Sequence, residues 1–94
     1  MNTLDIHHDA TAGRFTAEVD GRVCEADYQL HNGVMHLVHT AVPGTLQGRC
    51  IAAALVDAAL AEARLQGWRV RPVCSFVHAH MRRHPETHDL LETP

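Results

Sequence analysis

The chain has 94 residues, enough for one small domain but not for two. Its formal net charge is −3, so broad electrostatic attraction to nucleic acid or to an acidic membrane surface is not expected. With one Trp, one Tyr and two Phe, it also lacks the aromatic residues that a base-stacking nucleic-acid binder uses.

The three cysteines, Cys24, Cys50 and Cys74, form an odd set without C-x-x-C spacing. This pattern argues against a disulfide framework and against a cysteine-based zinc site. The polar start of the chain has no apolar signal segment, and no apolar stretch is long enough to span a bilayer. We therefore expect a cytoplasmic protein with a weakly ordered segment 1–12 followed by a single domain, 13–94.

The first half of the chain predicts an antiparallel meander. Short apolar stretches indicate strands, including a possible edge strand at the start, over residues 4–7, 14–19, 22–30 and 34–42. Asp20-Gly21 and Asn32-Gly33 separate the last three of these strands. Both dipeptides are typical of two-residue hairpin turns.

The second half predicts a helix, a strand and a second helix, which gives an α+β fold. The first helix is expected over about residues 49–66, with Gly67 as its C-terminal cap. One stripe at helical spacing should be buried: Ile51, Leu55, Val56, Ala59, Leu60 and Ala63. A strand over 68–73 follows, in which Pro72 suggests a sheet edge. Ser75 is expected to cap a helix over 76–83, and 89–91 to form a last turn.

The junction Gln47-Gly48-Arg49-Cys50-Ile51-Ala52 carries the first indication of function. Here a strand leads through a small-residue turn into a helix start. The first turn of a helix has free N–H groups and the positive end of the macrodipole. Such a turn suits an anion, in particular a phosphate. The other interpretation is an ordinary entry into a helix.

Several short motifs resemble the GCN5-related N-acetyltransferase (GNAT) family, in particular its small single-domain subgroup. Gln47-x-x-Cys50-x-Ala52 is similar to the acetyl-CoA motif Q/R-x-x-G-x-G/A. Four other motifs support the resemblance, which runs over about residues 14–91: His39-Thr40-x-Val42-Pro43, Gly48-Arg49, Pro72-x-Cys74 and Arg83-His84-Pro85-Glu86.

The resemblance implies a compact GNAT-like fold that binds acetyl-CoA and transfers its acetyl group to an unidentified amine, on a small molecule or on a protein. No metal is implied. The residues implied to hold the coenzyme are Val42, Gln47, Gly48, Arg49, Cys50, Ile51 and Ala52. Arg49 either contacts phosphate or is simply solvated. Arg82 and Arg83 either reach the 3′-phosphate of CoA or balance an acidic surface.

Three positions depart from the family pattern. Cys50 stands where the motif has glycine, Ala41 replaces a common glutamate, and Thr87 stands where an aromatic residue is usual. A carboxylate base and a tyrosine acid are therefore not visible. This favours a second hypothesis, a non-catalytic CoA-binding or regulatory module. A small open sheet edge is compatible with either a monomer or a weak homodimer.

Cys74 and His39 are the candidate catalytic residues. Cys74 is expected at the end of a strand beside the thioester, where a helix N-terminus would favour its thiolate. It is either an acetyl acceptor or active-site polar group, or a small buried side chain. His39 could face Cys74 and act as a base, or be an ordinary sheet histidine. Simple alternation predicts that His36 and His39 lie on opposite faces of their strand.

His80, His84 and His88 recur every four residues, which would give a metal-binding face on a continuous helix. Pro85 interrupts such a helix. We therefore interpret the three as surface histidines rather than as metal ligands.

Overall fold

The computed structural model describes residues 4–48 and 50–91. Its framework is one five-stranded sheet with the strands in chain order. Four neighbouring strands pair antiparallel, and the fifth pairs parallel to the fourth. The strands are β1 (Ile6–Asp9), β2 (Arg14–Val19), β3 (Arg22–His31), β4 (Val34–Ala41) and β5 (Arg69–Pro72).

The two predicted hairpin turns are confirmed. Asp20 and Gly21 have φ angles of 52° and 75°, and Asn32 and Gly33 have 51° and 77°. Two successive residues with positive φ are the signature of a type I′ turn, whose twist matches that of the flanking strands. These turns set the register of β2, β3 and β4.

The start of the chain is more regular than its composition suggests. Instead of a strand over 4–7, β1 begins at Ile6 and pairs with β2. The connection ends at Gly13, which has a φ of 73° and whose carbonyl accepts a hydrogen bond from the Tyr28 N–H at 2.7 Å. A Cβ at this position would lie 2.5 Å from the backbone carbonyl oxygen of Tyr28, so only glycine fits.

The first helix, α1 (Ile51–Gln66), covers the sheet with the stripe predicted from its sequence. All six residues of that stripe are buried. Gly67 ends the helix in a left-handed conformation, φ 76°, as predicted. The helix starts two residues later than expected, because Cys50 adopts left-handed geometry instead of joining the first turn. Residue 49 lies outside the described residues.

The second helix, α2 (Ser75–Arg82), starts one residue earlier than expected. Cys74 rather than Ser75 occupies the N-cap, in an extended conformation. After α2, Pro85 opens a 3₁₀ helix over Pro85–Leu90 rather than the short turn expected at 89–91. Arg64 of α1 fixes this segment through two hydrogen bonds to Asp89, at 2.6 and 3.1 Å.

Both helices contribute to one hydrophobic core on one face of the sheet. Met35 and Leu37 of β4 meet side chains of α1 there, and Val77 and Met81 bring α2 into the same cluster. The opposite face of the sheet carries polar residues and no packed helix within the described part of the chain. None of the helices described is both long and apolar enough to cross a membrane.

Candidate functional site

The strands β4 and β5 separate halfway along β4. They pair from Val34 opposite Arg69 to Leu37 opposite Pro72. The N–H of Cys74 then donates to the Leu37 carbonyl at 2.9 Å, and the chain turns into α2. Because β4 continues to Ala41, its last residues have no strand beside them on that side among residues 4–48 and 50–91. The sheet therefore opens into a gap.

An open cleft of about 1050 Å³ runs from this gap to the start of α1. One wall is the end of β4 with the segment that follows it, and the other is α2. The cleft is lined by Val23, Thr40, Ala41, Val42, Pro43, Leu46, Gln47, Gly48, Cys50, Ile51, Ala52, Ala53, Asp57, Phe76, Ala79, His80, Arg83 and His84. The structure thus brings together six of the predicted coenzyme-binding positions, Val42 among them, with Arg83.

The head of α1 opens into the cleft and is suited to an anion. The first hydrogen bond closing the helix runs from the Ala54 N–H to the Cys50 carbonyl at 3.1 Å. Helix geometry leaves the N–H groups before it without acceptors in the helix, and the first turn has no acidic side chain. These groups and the macrodipole favour negative charge. The side-chain amide of Gln47 donates a hydrogen bond to the carbonyl of Val42 at 3.5 Å. Because Val42 follows β4 directly, this bond connects the loop before α1 to the end of that strand.

Cys50 takes the conformation that explains why glycine suits this position. Its φ and ψ are 60° and 23°, in the left-handed region, which costs a non-glycine residue about 1 kcal/mol or more. Its side chain is exposed and lines the cleft. The turn therefore keeps the geometry of a glycine turn at a cost in stability.

Cys74 does not line the cleft itself but lies behind Thr40, which does. Its sulfur is 3.7 Å from the Thr40 hydroxyl, and it precedes the first turn of α2. Burial alone would raise the pKa of the thiol. The Val77 N–H, the Thr40 hydroxyl and the Phe76 N–H together outweigh that effect, so the net pKa of Cys74 is lowered. The pKa of Cys74 is thus lowered at the N-terminus of α2.

His39 does not face Cys74. Leu37 pairs with Tyr28 and His39 pairs with Asp27, so Val38 is an extra residue in β4. This bulge reverses the alternation of side chains. Thr40 consequently turns towards Cys74, while His39 is exposed on the opposite face together with His36. The prediction that His36 and His39 lie on opposite faces was wrong for the same reason.

The α2 wall contains His80 and His84, two of the three histidines interpreted from their spacing as surface residues. His80 is only 7% exposed, and its Nε2 lies 2.8 Å from Asp57 Oδ1 on α1. Its ring stacks on His84, with the ring centres 4.2 Å apart. The surface interpretation was therefore wrong for His80. The available signal was its spacing from Val77 and Met81, which places it on the buried stripe of α2.

The three histidines spaced by four do not share a ligand face. His80 contacts Asp57, His84 Nδ1 donates to the His80 carbonyl at 2.6 Å, and His88 Nε2 donates to the Met81 carbonyl at 2.8 Å. Within residues 4–48 and 50–91, no group of three or more His, Cys, Asp or Glu side chains is arranged to hold a metal.

The two predicted phosphate-binding arginines are in different places. Arg83 lines the cleft, whereas Arg82 is exposed outside it. Arg49 is not among the described residues. Thr87 is buried, and its hydroxyl donates to the His84 carbonyl at 2.7 Å, so this position supports the turn after α2 instead of offering a reactive group.

Comparison with known proteins agrees with this geometry. Residues 14–90 match the model of a GCN5-related N-acetyltransferase family. No curated protein sequence matches the chain significantly. The fold is similar to the NMR structure of a Staphylococcus aureus protein described as a GCN5-like N-acetyltransferase, with a TM-score of 0.77 and 22% identity over 100% of this chain and 93% of that one. This chain therefore belongs to the GCN5-related N-acetyltransferase family.

Proposed function

We propose that the protein binds acetyl-CoA in the cleft and transfers the acetyl group to an amine, as a member of the small single-domain subgroup. The observation that carries this proposal is the continuity of the cleft. It joins the free amides at the head of α1 to Thr40, whose hydroxyl contacts Cys74 across the gap between β4 and β5. One end suits a diphosphate and the other a thioester.

The protein's contribution is mainly positioning. The amides of Ile51 and Ala52, with the turn at Gly48, hold the pyrophosphate. The free edge of β4 aligns the pantetheine arm, and Arg83 contributes positive charge on the α2 wall. Backbone N–H groups at the gap polarise the thioester carbonyl, so that a neutral amine attacks it.

Cys74 offers a second route for the acetyl group. Its thiolate attacks the thioester carbonyl, so that a new C–S bond forms as the bond to CoA breaks and CoA leaves as a thiolate. An amine then takes the acetyl group from Cys74. Incubation with acetyl-CoA alone, followed by mass spectrometry, distinguishes the routes: an acetyl group on Cys74 supports the covalent route, and unmodified protein that still turns over supports direct transfer.

Calorimetry with CoA tests the cofactor assignment, using wild type and Cys50→Gly. We expect binding to both proteins and tighter binding to the variant, because glycine lets the diphosphate approach the turn more closely. Absence of heat with both proteins would refute the assignment.

A non-catalytic CoA-binding module is the second candidate. The observation that favours it is the position of the chain's single tyrosine, Tyr28, which is buried in the sheet and bound to His8 at 2.6 Å. It does not line the cleft. Tight coenzyme binding without release of free CoA in the presence of amines would support the module over the enzyme.

A further inference from the structure

The carboxylate missing at Ala41 has a substitute on the neighbouring strand. Glu25 of β3 pairs directly with Ala41 of β4. Side chains of directly opposed residues lie on the same face of a sheet, with their Cβ atoms about 5 Å apart. A carboxylate at position 25 therefore lies beside the place where one at position 41 would be.

Glu25 belongs to a cluster of titratable groups on the face of the sheet away from α1. Asp27 is two residues along β3, and His39 stands opposite Asp27. Asp27 Oδ1 is shielded from solvent, accepts no hydrogen bond and lies 3.6 Å from Arg14 Nε. A hydrogen bond with Asp27 is the largest cause that raises the pKa of Glu25, followed by burial, while Arg14 and His39 act in the opposite direction. A carboxylate with a raised pKa is a stronger base.

The cleft borders this face, and neither Glu25 nor His39 is part of its lining. Its lining includes Ala41 and Val23, and Val23 lies two residues from Glu25 on the same side of β3. Thr40 and Cys74 lie on the helix side, while Glu25 and His39 lie on the far side. On its β5 side, β4 has no neighbouring strand beyond Leu37 within the described part of the chain, so the two sides of the sheet communicate through this gap.

We propose that Glu25, supported by Asp27 and His39, is the catalytic base that receives the acceptor amine on the far face of the sheet. This assignment rests on the proposed acetyl transfer. An alkylammonium ion gives one proton to the Glu25 carboxylate. Its nitrogen then forms the C–N bond at the thioester carbonyl, the C–S bond breaks, and the departing CoA thiolate takes up the second N–H proton. The acceptor class is a primary amine that is cationic before it reacts.

Relocation of the carboxylate tests the assignment. Wild type, Glu25→Gln, and Glu25→Gln combined with Ala41→Glu are compared for CoA binding by calorimetry and for CoA release from acetyl-CoA with ethylamine, benzylamine and glycinamide. Glu18→Gln is the matched control, because Glu18 lies on the same face of β2 outside the cluster. Thermal unfolding followed by circular dichroism confirms that each variant is folded.

We expect Glu25→Gln to bind CoA like wild type but to release it at least about tenfold more slowly, within the usual range for loss of a general base. The double variant should recover much of the lost rate, and Glu18→Gln should lose none. An undiminished rate in Glu25→Gln, or no recovery in a folded double variant, would overturn the assignment. So would a wild type that binds CoA but acetylates none of the amines. Failure of wild type to bind CoA would instead refute the proposed function.

Discussion

The Thr40 hydroxyl lies 3.7 Å from the sulfur of Cys74, across the gap where β4 and β5 part. Because this hydroxyl helps to lower the pKa of the thiol, Thr40→Val should raise the pKa of Cys74 and slow its alkylation by iodoacetamide severalfold near neutral pH. The rate should recover at alkaline pH, where the thiolate forms without help. A pH series of alkylation rates, read at Cys74 by mass spectrometry, measures the shift.

Thr40→Ser serves as the control because it keeps the hydroxyl, and its pH profile should match that of wild type. Cys24 is an internal reference: burial raises the pKa of its thiol, so it should react slowly in every variant. Equal profiles for the valine and serine variants would mean that the amides at the start of α2 alone set the reactivity of Cys74.

Cys50→Gly should stabilise the protein by about 1 kcal/mol, because glycine adopts the left-handed conformation of this residue without steric cost. The gain is partly offset by the greater freedom of glycine in the unfolded chain. Urea unfolding monitored by circular dichroism gives the difference. Cys50→Ser keeps the strained backbone and should gain nothing. If the serine variant gained as much, the benefit would come from the loss of the thiol.

Asp57→Ala should destabilise the protein by about 1 kcal/mol, because it removes the acceptor beside the buried His80 ring. This loss is smaller than that usual for a hydrogen bond to a charged acceptor, because the Asp57 side chain is 62% exposed. Glu62→Ala is the control on the same helix, since Glu62 accepts an exposed hydrogen bond from Gln66 one turn away. Urea midpoints for the two variants should differ clearly, and equal midpoints would contradict a structural role for the Asp57–His80 pair.

Asp89→Asn should remove a pH-dependent part of the stability. The hydrogen bond with Arg64 is the main cause that lowers the pKa of Asp89 below its ordinary value of 3.8. A carboxyl with a lower pKa in the folded state binds fewer protons than in the unfolded chain, so its contribution is present above the ordinary value and is lost as the pH falls through the folded pKa. Wild type should therefore be more stable than Asp89→Asn at neutral pH.

That difference should shrink as the solution becomes strongly acidic. Thermal midpoints of the two proteins across an acid titration test this trend. A gap that stays constant at every pH would show that the loss comes from the backbone around Asp89 rather than from its charge.

The sequence predicted elements well where one strong local signal decided the structure. The D-G and N-G turns and the apolar stripe of α1 are examples, because φ preference and helical periodicity act within a few residues. It failed where the outcome depends on pairing between strands. No feature of the residues around Val38 indicates that it is an extra residue in the strand, and regular alternation therefore predicts His39 on the face where Thr40 lies. The position of Glu25 opposite Ala41 likewise follows only from the pairing of β3 with β4.

A single residue determines which side chains at the end of β4 face the helices and which face away from them. At Val38 the strand has one residue more than its partner β3. Each later residue therefore lies on the face opposite to the one that regular alternation predicts. If the strand continued without this bulge, Val38 would pair with Asp27. His39 would then stand opposite Ala26 on the helix side, and Thr40 opposite Glu25 on the far side. The gain or loss of a bulge in this strand is therefore a route by which related domains could exchange one side chain beside the cleft for another while keeping the same scaffold.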